Sequence, residues 1–342
     1  MNKKLWIVIA ACLVLAVALI IVQRTLSKDK SVKEPATTGK GNAQTGDEEE
    51  EIFVFGFSCA DLDDPYYAVL EASLRSEIAK RGGQLSTKNA RGSQEIQNRD
   101  MADFAEENVK AIFFVPVTEE GANETLRSLE ISKIPVINLD SRVSDAELCD
   151  LYVGTDQAEA GALCAGDLVR RAPQGGTLVL LESVRYRSLI EAVSGFEKGL
   201  SGHGFEVTDR VDAGGKTAGA KQEMTGILEQ HDDITAVMCA NDQMALGALA
   251  AIQEYNDGKA PDDRCTPFIY GIGGSPSFKK ILFDASSMLT GTAAAMPVSA
   301  GQDAAEAAFA LINGDETGEE ILEKPYLIDH ENIDLYGKDG WQ

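Results

Sequence analysis

The chain has 342 residues, of which 31 are basic and 55 acidic, and its formal net charge is -24 at pH 7. This length exceeds that of one typical domain, so two lobes are expected. The charge repels a phosphate backbone and no basic stripe offsets the repulsion, which disfavours nucleic-acid binding.

The chain opens on an apolar segment. Residues 5–22 carry no charge, and a run of this length can span a bilayer. It exceeds the apolar core of most signal peptides, so residues 1–24 are predicted to be a membrane anchor or signal, with an uncleaved anchor favoured. Cys12 follows residues that resemble the box before a lipid-modified cysteine, but the apolar run continues past it. Lipidation and anchoring therefore remain alternatives.

The next segment, residues 25–51, is predicted to be a disordered acidic tether. It is rich in Lys, Ser, Thr, Gly and Glu, shows no periodicity, and ends in five consecutive acidic residues at 47–51.

From residue 52 onward, short apolar strands alternate with amphipathic helices. The predicted strands are Phe53–Phe57, Ala111–Val115, Val136–Leu139, Thr177–Leu181, Ala236–Cys239 and Phe268–Gly271. The predicted helices lie near Tyr66–Lys80, Glu119–Ser132, Gln157–Arg170, Leu189–Leu200, Ala218–Gln230 and Met244–Glu254. Continuous apolar strands separated by helices predict parallel sheets that are covered on both faces. The predicted fold class is therefore α/β with doubly wound parallel sheets, and the number of units again predicts two lobes.

Two segments of the second half are distinctive. The strand 236–239 runs straight into Asn241 and Asp242, at the sheet edge where open α/β sheets bind ligands. Both residue types also favour the N-cap of a helix, so capping is the alternative interpretation. Further on, Pro297 separates a predicted strand at Met288–Thr292 from an Ala-rich helix at Val298–Ile312, which suits a segment that crosses between lobes.

Other chemistry finds little support in the sequence. The five cysteines outside the apolar segment show no Cys-x-x-Cys spacing, and the three histidines are not at helical metal-ligand spacing. The Gly-x-Ser-x-Gly motif is absent as well. No metal, cofactor or catalytic centre is predicted.

Several motifs, in this order, resemble the type 1 periplasmic sugar-binding proteins, and the ribose-binding branch in particular. Residues 64–67, Asp-Pro-Tyr-Tyr, resemble that family's Asn-Pro-Phe-Phe. Residues 134–140 resemble its Ile-Pro-Val strand that ends in Asp, and residues 241–248 resemble its Asn-Asp-x-Met-Ala-Leu-Gly-Ala. The likeness extends from about residue 53 to residue 327.

The resemblance implies the periplasmic binding protein type 1 fold, with two lobes that close on a solute by hinge motion. Three crossovers form the hinge, and they are expected near 154–156, 295–297 and 325–327. The N-terminal lobe then comprises 52–155 plus 296–325, and the C-terminal lobe comprises 156–295 plus 326–342.

The resemblance also implies ligand-binding residues. We expect Asp64, Tyr66 and Tyr67 to line the cleft from the first lobe, Asp140 to meet ligand hydroxyls, and Asn241 to reach in from the second lobe. Core packing is the alternative for the tyrosines. Capping of a loop is the alternative for Asp140, although an acid at the end of an apolar strand is costly unless it is paired.

The sequence departs from the family pattern at several contacts. Ser141 stands in place of the Arg that directly follows the family's acid, and Ala192 stands in place of another family Arg. Residues 272–273, Ile-Gly, replace the family's Phe-Asp pair, and Ala295 replaces its hinge Gln. The pentose contact set is largely lost, so a close copy of ribose recognition is not expected.

Arginines near the cleft are candidate replacements. Arg142 and the segment Arg185, Tyr186 and Arg187 could bring two or three guanidinium groups near the ligand. These groups suggest a ligand with an anionic or carbonyl group. A solvated charge cluster is the alternative.

Together these features predict an extracytoplasmic, membrane-anchored receptor that captures a carbohydrate or a similar small molecule and delivers it to the permease of an ATP-driven importer. The alternative is a sugar sensor that partners a receptor histidine kinase. An enzyme is not expected. Four basic residues at 24–33 follow the apolar segment and two precede it, so the positive-inside rule alone would favour a cytoplasmic location. The family resemblance favours the outward orientation.

Overall fold

The structure is a computed structural model that describes residues 52–341. The predicted anchor and tether, residues 1–24 and 25–51, lie outside the described residues. Within 52–341, no helix combines the length and the apolar character that crossing a bilayer requires.

Strands and helices alternate along most of the described chain. In chain order the elements are β1 Val54–Cys59, α1 Pro65–Lys80, β2 Gln84–Asn89, α2 Gln94–Glu106, β3 Ile112–Phe114, α3 Asn123–Ser132, β4 Val136–Leu139, β5 Leu151–Thr155, α4 Gln157–Arg171, β6 Gly176–Glu182, α5 Arg187–Gly199, β7 Phe205–Asp212, α6 Thr217–Leu228, β8 Ala236–Cys239, α7 Asp242–Asn256, β9 Phe268–Gly273, α8 Pro276–Leu282, β10 Leu289–Ala294, α9 Pro297–Asn313, β11 Glu320–Glu323, β12 Tyr326–Asp329 and α10 Ile333–Tyr336.

These strands form two six-stranded sheets. The first has the order β11-β5-β4-β3-β1-β2 and is parallel throughout. The second has the order β12-β10-β9-β8-β6-β7 and is parallel except for β12, which runs antiparallel to β10. The predicted class, α/β with two doubly wound sheets, is confirmed.

Burial of both faces explains why the central strands are mostly apolar. Phe113 and Phe114 are adjacent on β3, and the alternation of a strand directs them into core clusters on opposite faces of the first sheet. Both rings are fully buried. A single larger cluster fills the second lobe. Buried apolar side chains therefore cover both faces of the sheets and hold the strand ends in place.

Helices α4 and α5 pack in backbone contact in the second lobe. A Cβ on Gly161 would overlap the carbonyl oxygen of Ala192, and a Cβ on Gly195 would overlap that of Ala158. Only glycine permits this approach. The contact fixes the start of α5, which lies beside the cleft described below.

The chain passes between the sheets three times. It leaves the first sheet after β5 at Thr155, returns after β10 through 295–296, and leaves again between β11 and β12 at 324–325. Helix α9 returns to the first lobe, where the carbonyl of Val298 accepts a hydrogen bond of 2.7 Å from Ser73 of α1. The connecting segments lie together at one end of the two sheets.

Candidate functional site

A cavity of about 270 Å³ lies between the two lobes, at the carboxyl ends of the strands. This is where doubly wound sheets bind ligands. The first lobe lines it with residues from 61–67, after β1, and with Asp140, after β4. The second lobe lines it with residues that follow β6, β7, β8 and β9, and the crossovers contribute Gln157 and Ala295.

Asp140 is held at the bottom of this cavity by groups from both lobes. Its Oδ2 accepts hydrogen bonds from the hydroxyl of Tyr67, at 2.9 Å, and from that of Ser188, at 3.2 Å. Its backbone carbonyl accepts a further hydrogen bond from the hydroxyl of Tyr152. The backbone of Asp140 is left-handed, with φ of 59°. Such strain persists where the surroundings fix the conformation, and it is frequent at functional sites.

The environment of Asp140 disfavours its charged form. Burial raises the pKa of its carboxyl from 3.8 to about 6, and the hydrogen bonds from Tyr67 and Ser188 oppose this rise. The nearby Asp64 adds to the rise, and the pKa of Asp64 is itself raised by burial. Asp140 therefore remains mostly ionised at neutral pH in a site that stabilises this charge poorly, and donors from a ligand would stabilise it further.

Asp64 and the two tyrosines form one wall. Asp64 caps α1, because its side chain accepts a hydrogen bond of 2.9 Å from the backbone N–H of Tyr66. The rings of Tyr66 and Tyr67 meet edge to face, with centroids 5.5 Å apart. Tyr67 is 6% exposed and belongs to the core of the first lobe, so the core-packing interpretation holds for this ring although its hydroxyl reaches Asp140.

Asn241 and Asp242 lie on the opposite wall. Asn241 caps α7 through a hydrogen bond of 2.9 Å from the N–H of Met244 to its Oδ1, and its Nδ2 donates to the carbonyl of Gly215 at 3.0 Å. The capping interpretation therefore holds, and the same side chain lines the cavity. Asp242 is buried, and it accepts hydrogen bonds from Thr292 and from the N–H of Ser275.

Two buried polar atoms at the cavity make no hydrogen bond of normal geometry among the described residues, although one of them, a hydroxyl, interacts with the side chain of Thr155. They are the hydroxyl of Tyr66 and Oε1 of Gln157, and both residues line the cavity. Gln157 is only 5% exposed. Because an unpaired buried polar group costs free energy, these atoms indicate groups that a bound ligand would satisfy. The sequence analysis did not identify Gln157.

The charged lining is almost entirely acidic. Five aspartates line the cavity, namely Asp61, Asp63, Asp64, Asp140 and Asp242. The only basic lining residue in the described part of the chain is Lys216, whose Nζ is 3.3 Å from a carboxylate oxygen of Asp61.

Arg142 and Arg187, predicted to reach the cleft, are not among the residues that line it. The guanidinium of Arg142 stacks on the ring of Tyr152, 3.6 Å from its centroid, and binds Glu320 at 2.7 Å. Arg187 pairs with Glu191 at 2.8 Å and with Glu119 at 3.2 Å. Each of the two guanidinium groups is therefore paired with carboxylates outside the cavity lining, and that of Arg142 also with an aromatic ring. The other five predicted residues line the cavity, and their roles as ligand contacts stay predictions.

Arg185 and Arg187 instead help to hold the two lobes together. The Nη2 of Arg185 donates to the carbonyl of Gly92 at 3.2 Å, and the backbone N–H of Arg187 donates to the hydroxyl of Ser141 at 3.1 Å. The ion pair from Arg187 to Glu119 joins the same two lobes. The lobes thus meet directly around the cavity, as in a closed cleft.

Two α/β lobes, three crossovers and a polar cavity between strand ends define a two-lobed receptor for small molecules. No group of three or more potential metal ligands was found among residues 52–341. Residues 55–316 match the periplasmic binding protein domain, and the chain belongs to this family.

Individual relatives agree with this assignment. The chain is 26% identical over 263 residues to the ribose import binding protein RbsB of Bacillus subtilis, covering 77% of this chain and 82% of the relative. It is 24% identical over 256 residues to that of Salmonella typhimurium, covering 75% and 83%. Among solved structures, an ABC transporter solute binding protein from Bacillus halodurans with bound myo-inositol shares the fold, with a TM-score of 0.76, 22% identity, and coverage of 83% of this chain and 96% of that one.

Proposed function

We propose that this protein is an extracytoplasmic receptor that binds a sugar or a similar polyhydroxylated small molecule between its lobes and delivers it to an ATP-driven importer. The observation that carries the proposal is the closed cavity around Asp140, where a carboxylate held from both lobes lies beside buried polar atoms without a hydrogen bond of normal geometry among the described residues. The relatives are ribose import binding proteins, which supports the same class of ligand.

Each wall has a role in this proposal. The carboxylate of Asp140 accepts hydrogen bonds from ligand hydroxyls, and Asp64 and the amide of Asn241 add polar contacts from opposite sides. The ring of Tyr66 covers the C–H surface of the ligand and its hydroxyl bonds a ligand oxygen, whereas Tyr67 contributes through its hydroxyl, which holds Asp140.

The charge of the lining favours a neutral ligand over the anionic one that the arginines suggested. Among residues 52–341 no arginine lines the cavity, and the one lysine that does is paired with Asp61. An anionic group about 5 Å from the carboxylate of Asp140 would be repelled by about 3 kcal/mol at an effective dielectric constant of 20. Uronates and sugar phosphates are therefore excluded from the proposed ligands.

The tether and membrane anchor belong to the same proposal. An apolar segment at 5–22 followed by a polar tether would hold the receptor at the outer face of the membrane, close to a permease. A sensor kinase could use the same arrangement, and it remains the second partner class to test. Protease treatment of intact cells tests the orientation, since a globular part that survives intact would contradict it.

A thermal-shift screen tests the ligand class. The full chain, purified in detergent, is heated with D-ribose, D-allose, L-arabinose, D-fructose or myo-inositol, and in parallel with D-glucuronate and ribose 5-phosphate. A neutral ligand at about 100 times its Kd adds about 2.7 kcal/mol of stability and raises the midpoint. A shift from the anions alone would refute the neutral ligand, and no shift from any compound would refute the sugar assignment. The screen is repeated with Asp140→Asn as the site control.

A further inference from the structure

We propose that Trp341 is a ligand-covering residue of the cleft, carried by the second lobe and closed onto Tyr66 of the first. This inference rests on the proposed function, because it assigns one wall of the same site. Trp341 lies outside every motif of the family resemblance, so no sequence pattern assigns it a role.

The segment that carries Trp341 is attached to the second lobe. The ring of Tyr336 stacks on that of Tyr326 in β12, with centroids 4.6 Å apart. The Nζ of Lys338 lies over the ring of Phe283, 4.6 Å from its centroid, and Asp339 is 3.7 Å from Lys280 of α8. These contacts lead the chain along α8 towards the cavity.

Trp341 then reaches across the cleft. Its ring meets that of Tyr66 edge to face, with centroids 5.9 Å apart and an interplanar angle of 75°. On the second lobe, a Cβ built on Gly273 would be 3.8 Å from the indole. Gly273 has no side chain and Ala295 has only a methyl group, so both leave space at this corner of the cavity. The indole therefore lies beside small residues of the cavity lining.

The cavity keeps a volume of about 270 Å³ with Trp341 among its lining residues. Trp341 is therefore a wall of the cavity and does not fill it. An indole offers a large apolar face for the C–H groups of a sugar ring and one N–H donor for a hydroxyl, in a cavity whose lining also includes five carboxylates and three tyrosines among the described residues. Because Trp341 and Tyr66 belong to different lobes, their contact forms when the cleft closes.

The sequence makes this inference easy to test, because Trp6 and Trp341 are its only two tryptophans. The variant Trp6→Phe in the full chain leaves Trp341 as the sole indole. Its emission is recorded while the protein is titrated with the neutral sugar that gives the largest thermal shift. We expect a saturable change in emission, and protection from acrylamide, with the same Kd as the thermal shift. In the same background, Trp341→Ala should weaken binding about 10-fold, as loss of an aromatic anchor does, and Trp341→Phe should recover most of the affinity.

Two results would overturn the inference while leaving the proposed function intact. The first is a thermal shift with no change in the emission of Trp341. The second is a Kd that Trp341→Ala leaves unchanged. If no sugar shifts the midpoint, the proposed function fails, and acrylamide quenching of the ligand-free protein still tests the placement of Trp341. Quenching as efficient as that of free tryptophan would overturn the contact with Tyr66.

Discussion

Replacing Asp140 with Asn should stabilise the ligand-free protein and at the same time weaken ligand binding. The buried carboxylate is ionised at pH 7.5 although its surroundings favour the neutral form. Asparagine has the same shape and resembles the protonated acid, and its oxygen can still accept from Tyr67 or Ser188. The substitution therefore removes a buried charge with little change in packing.

The magnitude follows from the pKa of Asp140. A rise from 3.8 to about 6 on folding corresponds to about 3 kcal/mol of stability lost at pH values where the group is ionised in both states. The variant should regain about 1 to 3 kcal/mol at pH 7.5, since its neutral amide oxygen can take the place of Oδ2 but accepts weaker hydrogen bonds from Tyr67 and Ser188 than a carboxylate does. The advantage should shrink as the pH falls from 6 towards 4, because the folded wild-type protein then takes up the proton itself. Ligand affinity should fall about 10- to 100-fold, since a hydrogen bond to a charged acceptor contributes about 1.5 to 3 kcal/mol.

The assay is urea unfolding of both proteins at pH 7.5 and pH 5.0, followed by a ligand titration of each. Asp63→Asn is the matched control, because Asp63 lines the same cavity but is exposed, and its substitution should change stability by less than about 0.5 kcal/mol. A variant that is less stable than wild type at pH 7.5 would refute the reasoning about the buried charge. An unchanged Kd would separately refute the role of Asp140 in ligand binding.

Three further predictions concern other parts of the structure. Ligand affinity should fall as the pH drops below about 6, where protonation of Asp140 removes its charge, and a Kd that is constant between pH 7.5 and 5.0 would contradict this. Arg187→Ala removes an exposed ion pair with Glu119 across the cleft, so it should weaken ligand binding only about 2- to 3-fold, mainly by raising the dissociation rate measured by stopped flow. A loss of affinity above about 10-fold would indicate that Arg187 contacts the ligand directly. Gly161→Ala should destabilise the protein by about 3 kcal/mol in urea unfolding, because the new methyl group overlaps the backbone of α5. Gly166→Ala in the same helix meets open space and should stabilise the protein by up to about 1 kcal/mol. Similar effects at both positions would show that α4 and α5 are not in backbone contact.

The apolar strands could be predicted from the sequence because both of their faces are buried. Strands such as β3 and β8 are short uninterrupted apolar runs, which is the pattern of a central parallel strand. The edge strands β2 and β7 were not predicted. Their sequences, Gln-Leu-Ser-Thr-Lys-Asn and Phe-Glu-Val-Thr-Asp-Arg-Val-Asp, are largely polar because an edge strand is partly exposed, so their apolar signal is weak.

The site residues that could be predicted from the sequence are those placed by the ends of strands. Asp140 and Asn241 lie one and two residues after the ends of β4 and β8, and Asp64 lies in the loop that follows β1, so the sheets bring these positions to the same edge. Arg142 lies only two residues beyond Asp140, but its side chain contacts Tyr152 and Glu320. The position of a long side chain in the sequence does not determine which way it points. Trp341 is placed by packing along α8, a contact that no local pattern encodes.

The order in which the chain builds its two sheets has a consequence for biosynthesis. Leu70 and Leu74 on α1 share a core cluster with Ala300 and Ala304 on α9, and β5 pairs with β11, yet these later partners are made only after almost all of the second lobe. A nascent chain of fewer than about 297 residues therefore leaves the apolar face of α1 exposed and β5 without its edge partner β11. Exposed apolar surface and unpaired strand edges both promote aggregation. Completion of the first lobe is thus one of the last events of folding.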